Sequence, residues 1–174
     1  ARAGGGRVNL SFGSSGVFRR QIAQGAPFGL YLSADEAYVD ALNAEGRLEG
    51  PGTLYAIGRI ALYLPNGSPV KADDKLRDLA AAARDGRLKK LAIANPEHAP
   101  YGQRALEVLR GRGLEAIVRP KLVLGDNVSQ AATFVQSGAA QAGLVAHSLL
   151  LAPALRGIGA WTRVPQAWHA PLEQ

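Results

Sequence analysis

Short apolar segments alternate with helical patterns from one end of this 174-residue chain to the other. Residues 8–12 alternate apolar and polar side chains with period two, as a half-buried strand does. Further strands are predicted at residues 29–32, 60–64, 88–94, 121–124, 141–145 and 160–164. Helical patterns between them begin at residues 14–15, 33–36, 75, 100–102 and 126–127. This alternation predicts an α/β fold with mainly parallel sheets.

Capping and turn residues mark the ends of the predicted helices. Gly25 and Gly46 each end a helical pattern, as glycine commonly does. Residues 33–36 have the Ser-x-x-Glu spacing of a capping box, which accounts for the adjacent carboxylates in that segment. Asp73 and Asp74 lie at the positive end of the helix that follows them.

The composition excludes several classes of protein. The sequence has no cysteine, which excludes disulfide scaffolds, zinc fingers, iron–sulfur clusters and thiol catalysis. Three histidines leave little material for a transition-metal site. No run approaches the roughly 18 to 20 apolar residues of a membrane-spanning helix. The chain opens at Ala1 without Met or an apolar signal segment, so we expect a processed or trimmed product.

The basic residues are dispersed along the chain. Lys and Arg number 20 against 14 Asp and Glu, giving a formal net charge of +6. Only two pairs are adjacent, Arg19-Arg20 and Lys89-Lys90. Because nucleic-acid binding proteins usually concentrate their charge on one face or segment, we interpret these side chains as a solvated surface and expect no nucleic-acid partner.

Three predicted helix starts follow strand ends and carry small or turn-forming residues, at 13–16, 99–102 and 126–129. The first turn of a helix has backbone N–H groups without intrahelical partners, and the helix dipole adds partial positive charge there. Such ends bind anions well. Ligands of open α/β sheets also usually bind at the carboxyl ends of strands. Each start alone is equally consistent with an ordinary capped helix.

Enzyme motifs are not matched. Residues 13–16 lack the Gly-x-Ser-x-Gly spacing of a nucleophile elbow and the Gly-Lys-Ser/Thr of a phosphate-binding loop. The glycine run 4–6 precedes a predicted strand, which is the wrong order for a dinucleotide fingerprint. His98 lies in a proline-flanked loop and is expected to be exposed, while His147 and His169 have no carboxylate nearby in sequence. We therefore predict that the protein is not an enzyme.

Several segments resemble the periplasmic molybdate-binding proteins of ABC importers. They occur in the same order and spacing over nearly the whole chain: 11–16 (SFGSSG), 20–27, 32–36, 93–102 (IANPEHAPYG), 126–128, 138–140 and 143–146. The resemblance implies a class II periplasmic binding protein fold, in which two α/β lobes bind an anion in the cleft between them.

The resemblance also implies the ligand-binding residues. Ser15 corresponds to a hydroxyl-and-amide donor, and Tyr101 and Val128 correspond to positions that contribute backbone N–H groups. Ser14, the neighbouring hydroxyl, completes the predicted set. Ala146 stands where many members carry a tyrosine hydroxyl, although a branch with Pro-Tyr-Gly at the second helix start also lacks it. No metal is expected to contact the protein directly, because molybdate binds through its oxygens.

The lobes are expected to be unequal. Residues 1–60 and 157–174 are predicted to form a partial first lobe, and residues 61–156 a nearly whole second lobe. Family members have a further strand and helix before the segment that starts at residue 6, and a strand and helices after residue 172. The resemblance therefore predicts a chain that lacks both terminal segments and one wall of the site.

The function implied is capture of molybdate or tungstate, between which the sequence does not discriminate. The partner would be the membrane permease of an ABC importer, and the protein would be located in the periplasm. It would be a monomer and would need no cofactor. Two alternatives remain open at this point. The first is the oxyanion- or small-ligand-sensing domain of a transcription regulator, which can use the same two-lobe fold, and the second is a small hydrolase.

Overall fold

A five-stranded sheet forms the centre of the computed structural model, which describes residues 7–174. Residues 1–6, which hold the glycine run 4–6 and the start of the predicted first lobe, lie outside the described residues. In chain order the sheet strands are β2 (Ile60–Leu64), β3 (Leu91–Ala94), β4 (Leu122–Gly125), β5 (Ala142–Ala146) and β6 (Ala160–Arg163). Their spatial order is β4-β3-β5-β2-β6.

The sheet is mixed, which corrects the prediction of mainly parallel strands. β3 pairs in parallel with β4 and β5, whereas β2 pairs antiparallel with β5 and β6. Ile60 at the start of β2 lies opposite Ala146 at the end of β5, and Ala61 lies opposite Arg163 at the end of β6. The chain therefore enters and leaves the sheet at the edge where β3, β4 and β5 end. This forces β2 to run away from that edge and β6 to return to it.

Helices connect and cover the strands, at the five predicted places and at two further ones. They are α1 (Ser15–Ala23), α2 (Glu36–Ala44), α3 (Arg77–Asp85), α4 (Pro100–Gly111), α5 (Glu115–Val118), α6 (Val128–Gln136) and α7 (His147–Leu151), with 3-10 turns at Arg119–Lys121 and Gln166–Trp168. Asp73 accepts hydrogen bonds from the N–H groups of Lys75, Arg77 and Asp78. The carboxylate thereby caps α3 at its positive end, as predicted.

Side chains of the sheet pack into one apolar cluster on each face. Ile60, Leu62 and Leu64 point to the face covered by α3 and α4, whereas Ala61 and Tyr63 point to the face covered by α6. Successive residues of a strand point to opposite faces, so the continuously apolar β2 predicts burial on both sides. The result is a three-layer α/β unit.

Two predicted strands are absent from the part of the chain that precedes this sheet. Residues 8–12 and 29–32 have no strand geometry, and Val8, Leu10 and Phe12 are between 74% and 87% exposed. A strand needs a neighbour to bond its N–H and C=O groups, and no strand among residues 7–174 pairs with either segment. Residues 8–12 thus alternate apolar and polar side chains but lack the backbone hydrogen bonds to a neighbouring strand that would make them a strand.

The first segment and the last residues meet in a small ribbon. α1 and α2 pack against each other, and β1 (Ile57–Gly58) pairs antiparallel with β7 (Leu172–Glu173). β6, by contrast, belongs to the five-stranded sheet, so a lobe boundary at residue 157 falls before the last strand of that sheet.

The capping box predicted at residues 33–36 is replaced by a different cap. Asp35 is the N-cap of α2, and its Oδ1 accepts the N–H of Ala37 at 3.0 Å. Ser33 Oγ instead accepts the N–H of Asp35 at 3.2 Å and donates to the carbonyl oxygen of Asp35 at 2.7 Å. Glu36 is consequently the first helical residue and not the third, which leaves it no capping role.

Candidate functional site

The starts of α4 and α6 lie at the same edge of the sheet. α4 follows β3 and α6 follows β4, and these strands are parallel neighbours. The N–H of Asn95 donates to the carbonyl oxygen of Gly125 at 2.7 Å, which joins the two strand ends. A Cβ on Gly102 would lie 2.1 Å from the Ala94 carbonyl oxygen, so only glycine lets α4 turn back this closely.

The start of α1 lies against the loop that leads into α4. The Gly16 N–H donates to the His98 carbonyl oxygen at 3.0 Å, and Ser14 Oγ lies 2.8 Å from His98 Nδ1. A Cβ on Gly16 would lie 2.6 Å from the same carbonyl oxygen. Glycine at this position therefore allows the close approach of the loop.

Each of the three helix starts retains an unused backbone donor. None of the hydrogen bonds among residues 7–174 uses the N–H of Ser15, Tyr101 or Val128. All three lie in the first turn of a helix, where no intrahelical carbonyl is within reach. These residues are the three that the resemblance predicts as backbone donors.

Ser15 is held by contacts with the segment before α2. Ser15 Oγ accepts the N–H of Ala34 at 2.9 Å, and its carbonyl oxygen accepts the Tyr31 hydroxyl at 2.8 Å. A serine hydroxyl that accepts one bond still has its own proton to donate. Ser14 and Ser15 are both buried, with 6% and 7% of their surface exposed, so neither hydroxyl is fully solvated.

Tyr101 directs its side chain away from the neighbouring helix starts. Its hydroxyl accepts a hydrogen bond from Gln174 Nε2 at 2.9 Å, and a Cβ on Gly58 would lie 2.5 Å from the hydroxyl oxygen. The side chain thus reaches the β1–β7 ribbon, while the backbone N–H stays at the start of α4. Burial raises the pKa of the Tyr101 phenol, so it remains neutral at ordinary pH.

Val128 contributes its backbone to the site and its side chain to the core. The side chain packs against both apolar clusters. Asn127, the N-cap of α6, accepts the N–H of Gln130 at 3.0 Å, and the N–H of Asp126 donates to Gln130 Oε1 at 2.6 Å. These bonds order the turn and leave the Val128 N–H available.

His98 is the residue that sequence reasoning missed. It was predicted to be an exposed loop histidine, whereas its ring and its carbonyl oxygen both contact α1. Its position in the loop between β3 and α4 is the signal that could have indicated a role at the site. Tyr31, which supports Ser15, was not singled out either.

The groups that hydrogen-bond Ser15, the Ala34 N–H and the Tyr31 hydroxyl, are polar and uncharged. Burial raises the pKa of the Tyr31 phenol, which keeps this Ser15 partner neutral. Ala146, at the end of β5 on the same sheet edge, is buried and offers no hydroxyl. Over residues 7–174, no cluster of three or more His, Asp or Glu side chains could hold a metal ion. The arrangement suits an anion that hydrogen-bonds to N–H and O–H groups.

Known proteins are similar to this chain over almost its whole length. A family model described as bacterial extracellular solute-binding protein matches residues 1–174. The molybdate-binding protein ModA of Rhodobacter capsulatus is 38% identical over 171 residues, covering 98% of this chain and 64% of the relative. ModA of Azotobacter vinelandii is 36% identical over 171 residues, covering 98% of this chain and 66% of the relative.

A solved structure, described as the Azotobacter vinelandii periplasmic molybdate-binding protein, superposes with a TM-score of 0.82 at 32% identity. The superposition covers 94% of this chain and 69% of that structure. It confirms the predicted fold class, α/β of the class II periplasmic binding protein type. The chain thus spans about two thirds of the length of these proteins, none of which is described as an enzyme or a transcription regulator. No helix in the described part of the chain is long and apolar enough to cross a membrane.

Proposed function

Because the chain belongs to the family of bacterial extracellular solute-binding proteins, we propose that it binds a tetrahedral oxyanion at the starts of α1, α4 and α6. Molybdate is the proposed ligand, with tungstate as an alternative of nearly the same size and charge. The bound anion is delivered to the membrane permease of an ABC importer. The protein works as a monomer in the periplasm and catalyses no reaction.

One observation carries this proposal more than any other. The unused N–H groups of Ser15, Tyr101 and Val128 belong to three helices whose starts meet at one sheet edge or at the loop beside it. Relatives described as molybdate-binding proteins support the choice of anion. Three neighbouring helix starts that each keep an unused donor suit a ligand with several acceptor oxygens.

The chemistry of the donors suits reversible capture of a dianion. A buried double charge loses its hydration and needs several hydrogen bonds to offset that loss. Backbone amides and a serine hydroxyl supply these bonds without a cationic side chain. Neutral donors keep the anion releasable to the permease, and fixed backbone positions discriminate between oxyanions by size better than flexible arginines would.

Two lobes would close on the ligand from opposite sides of the cleft. We place residues 7–59 and 164–174 in one lobe and residues 60–163 in the other, since β6 pairs with β2 in the larger sheet. Ser14 and Ser15 then belong to one lobe, and Tyr101 and Val128 to the other. Hinge closure of this kind is a common ligand-driven change and would signal the loaded state to the transporter.

Calorimetric titration of the chain with sodium molybdate, tungstate, sulfate and phosphate tests this function. Saturable binding of molybdate and tungstate, with weaker binding of the other two, is the expected result. Equal indifference to all four anions would contradict the proposal. Light scattering on the same samples, with and without molybdate, checks the monomer.

A further inference from the structure

α1 begins with a serine that does not cap it. Ser14 is the N-cap residue, with extended backbone, yet its side chain makes no capping hydrogen bond. The two other polar N-caps, Asp35 and Asn127, behave as such residues normally do and accept N–H groups of their own helices at 3.0 Å. Ser14 is therefore the exception, and its hydroxyl bonds His98 Nδ1 at 2.8 Å.

His98 forms hydrogen bonds with the Ser14 hydroxyl and the Gly16 N–H, the two groups that would bond each other in an ordinary cap. Its ring holds the Ser14 hydroxyl, and its carbonyl oxygen accepts the Gly16 N–H at 3.0 Å. An N-cap serine usually accepts from the second or third helical N–H, here Gly16 or Val17. With Ser14 turned away, the first turn of α1 keeps its positive end uncovered by any side chain of its own.

A second contact ties the same two parts of the chain together. Arg104 of α4 bonds Asp35, the N-cap of α2, with NH2 3.1 Å from Oδ2, and both side chains are only 16% exposed. Glu107, one turn further along α4, accepts the N–H of Ala170 at 2.9 Å. His98 thus lies within a wider contact and is not an isolated surface pair.

We infer that His98 is a positioning residue of the oxyanion site, because it holds Ser14 off the start of α1 and thereby keeps the Val17 N–H available to the anion. This inference rests on the proposed function. Without the imidazole, the Ser14 hydroxyl is free to rotate onto the Val17 N–H and compete with the ligand for that donor, while the Gly16 N–H stays bonded to the backbone carbonyl of residue 98. His98 would act through Ser14 without itself touching the anion.

The test is a double-mutant cycle in the full chain, with molybdate as the probe. His98→Ala should weaken molybdate binding about 3- to 10-fold, the effect of one lost side-chain hydrogen bond. Ser14→Ala should weaken it in the native background, but in the His98→Ala background it should raise affinity, because the competing hydroxyl is gone. A merely structural contact also makes the two losses non-additive, since the residues touch, but it predicts no recovery of affinity. A double variant that binds no better than His98→Ala would therefore overturn the inference.

Two further variants guard against misfolding. In His98→Asn, an amide atom lies as many bonds from Cβ as Nδ1 does, so this variant should regain most of the affinity that His98→Ala loses. Gln103→Ala is the matched control, since Gln103 lies in the first turn of α4 and its side chain makes no hydrogen bond within residues 7–174. Failure of His98→Asn to recover affinity, with its thermal unfolding unchanged, would overturn the inference.

Amide hydrogen exchange without ligand separates this inference from the proposed function. The Val17 N–H should exchange quickly in the native chain and more slowly in His98→Ala, where Ser14 can cap it. Absence of molybdate binding with this change in exchange would overturn the function and leave the capping contact standing. Equal exchange in both proteins would overturn the contact whatever the binding result.

Discussion

Ser15 is the residue on which the proposed site depends most directly. Its N–H is unused, its hydroxyl accepts from Ala34 and its carbonyl oxygen accepts from Tyr31. These contacts fix the rotamer of the hydroxyl before any ligand arrives. A preoriented neutral donor costs little rearrangement on binding, which favours affinity.

Ser15→Ala should weaken molybdate binding by about 1 to 3 kcal/mol, the cost of an unmet hydrogen bond to a charged group. It should also lower stability slightly, because the Ala34 N–H loses its acceptor. Calorimetry measures the first effect and urea unfolding the second. Ser137→Ala is the control, since within residues 7–174 the Ser137 hydroxyl bonds only the Phe134 carbonyl oxygen, at the far end of α6. Unchanged affinity in Ser15→Ala would remove Ser15 from the site.

Single residues were predictable where their role is local. Ser15 and Val128 stand at helix starts that the sequence itself marks with small and capping residues. His98 was misread because its partner Ser14 is 84 residues away, and no local pattern encodes that distance. The α2 cap was likewise assigned to Ser33, because the capping-box spacing does not show which oxygen reaches the helix first.

At the scale of elements, α4 connects the site to the ribbon formed by β1 and β7. The Tyr101 backbone faces the site, and its hydroxyl accepts from Gln174 Nε2 next to Gly58. The two roles of this residue use different atoms and can be separated by one substitution.

Tyr101→Phe should leave molybdate affinity within about twofold, because the backbone N–H is retained. Stability should fall by about 0.5 to 1.5 kcal/mol, the usual net value of one hydrogen bond. Tyr63→Phe is the matched control, since the buried Tyr63 hydroxyl has no partner among the described residues and its removal should be neutral or stabilising. A large affinity loss in Tyr101→Phe with intact stability would assign the hydroxyl to the site itself.

Helices and strands were predictable where the local sequence of one segment is enough to indicate them. Helices with a cap, an apolar stripe and a terminal glycine formed as expected, and so did the five strands of the larger sheet. The segments 8–12 and 29–32 have strand-like patterns and no strand. Patterning determines which face of a strand is buried, but the partner that supplies its hydrogen bonds is a property of the assembled sheet.

On the scale of the whole molecule, the direction of the strands follows from where the chain crosses between its parts. Entry at β2 and exit after β6 occur at the edge of the sheet that also holds the starts of α4 and α6. The site therefore lies beside the crossing segments, where a change in their angle would move one set of donors against the other. The sequence indicated two lobes through resemblance, but the mixed sheet depends on this entry and exit, which periodicity does not reveal.

The net charge of +6 should affect how fast the anion arrives and not how tightly it is held. The proposed donors are uncharged, so the attraction is a long-range field that salt screens, with a Debye length of about 10 Å at 0.1 M. Raising sodium chloride from 0.05 to 0.5 M should slow molybdate association about threefold, by Coulomb attraction between a dianion and a small protein of this charge.

Stopped-flow measurement of association and dissociation checks this, with potassium fluoride as a second salt to exclude competition by chloride. The dissociation rate should stay constant, because hydrogen bonds to backbone amides in a closed cleft are poorly screened. An increase in the dissociation rate that matches the loss of association would instead require a cationic side chain at the anion. Arg59 would then be the first side chain to substitute, since it lies between Gly58 of the ribbon and the first residue of β2.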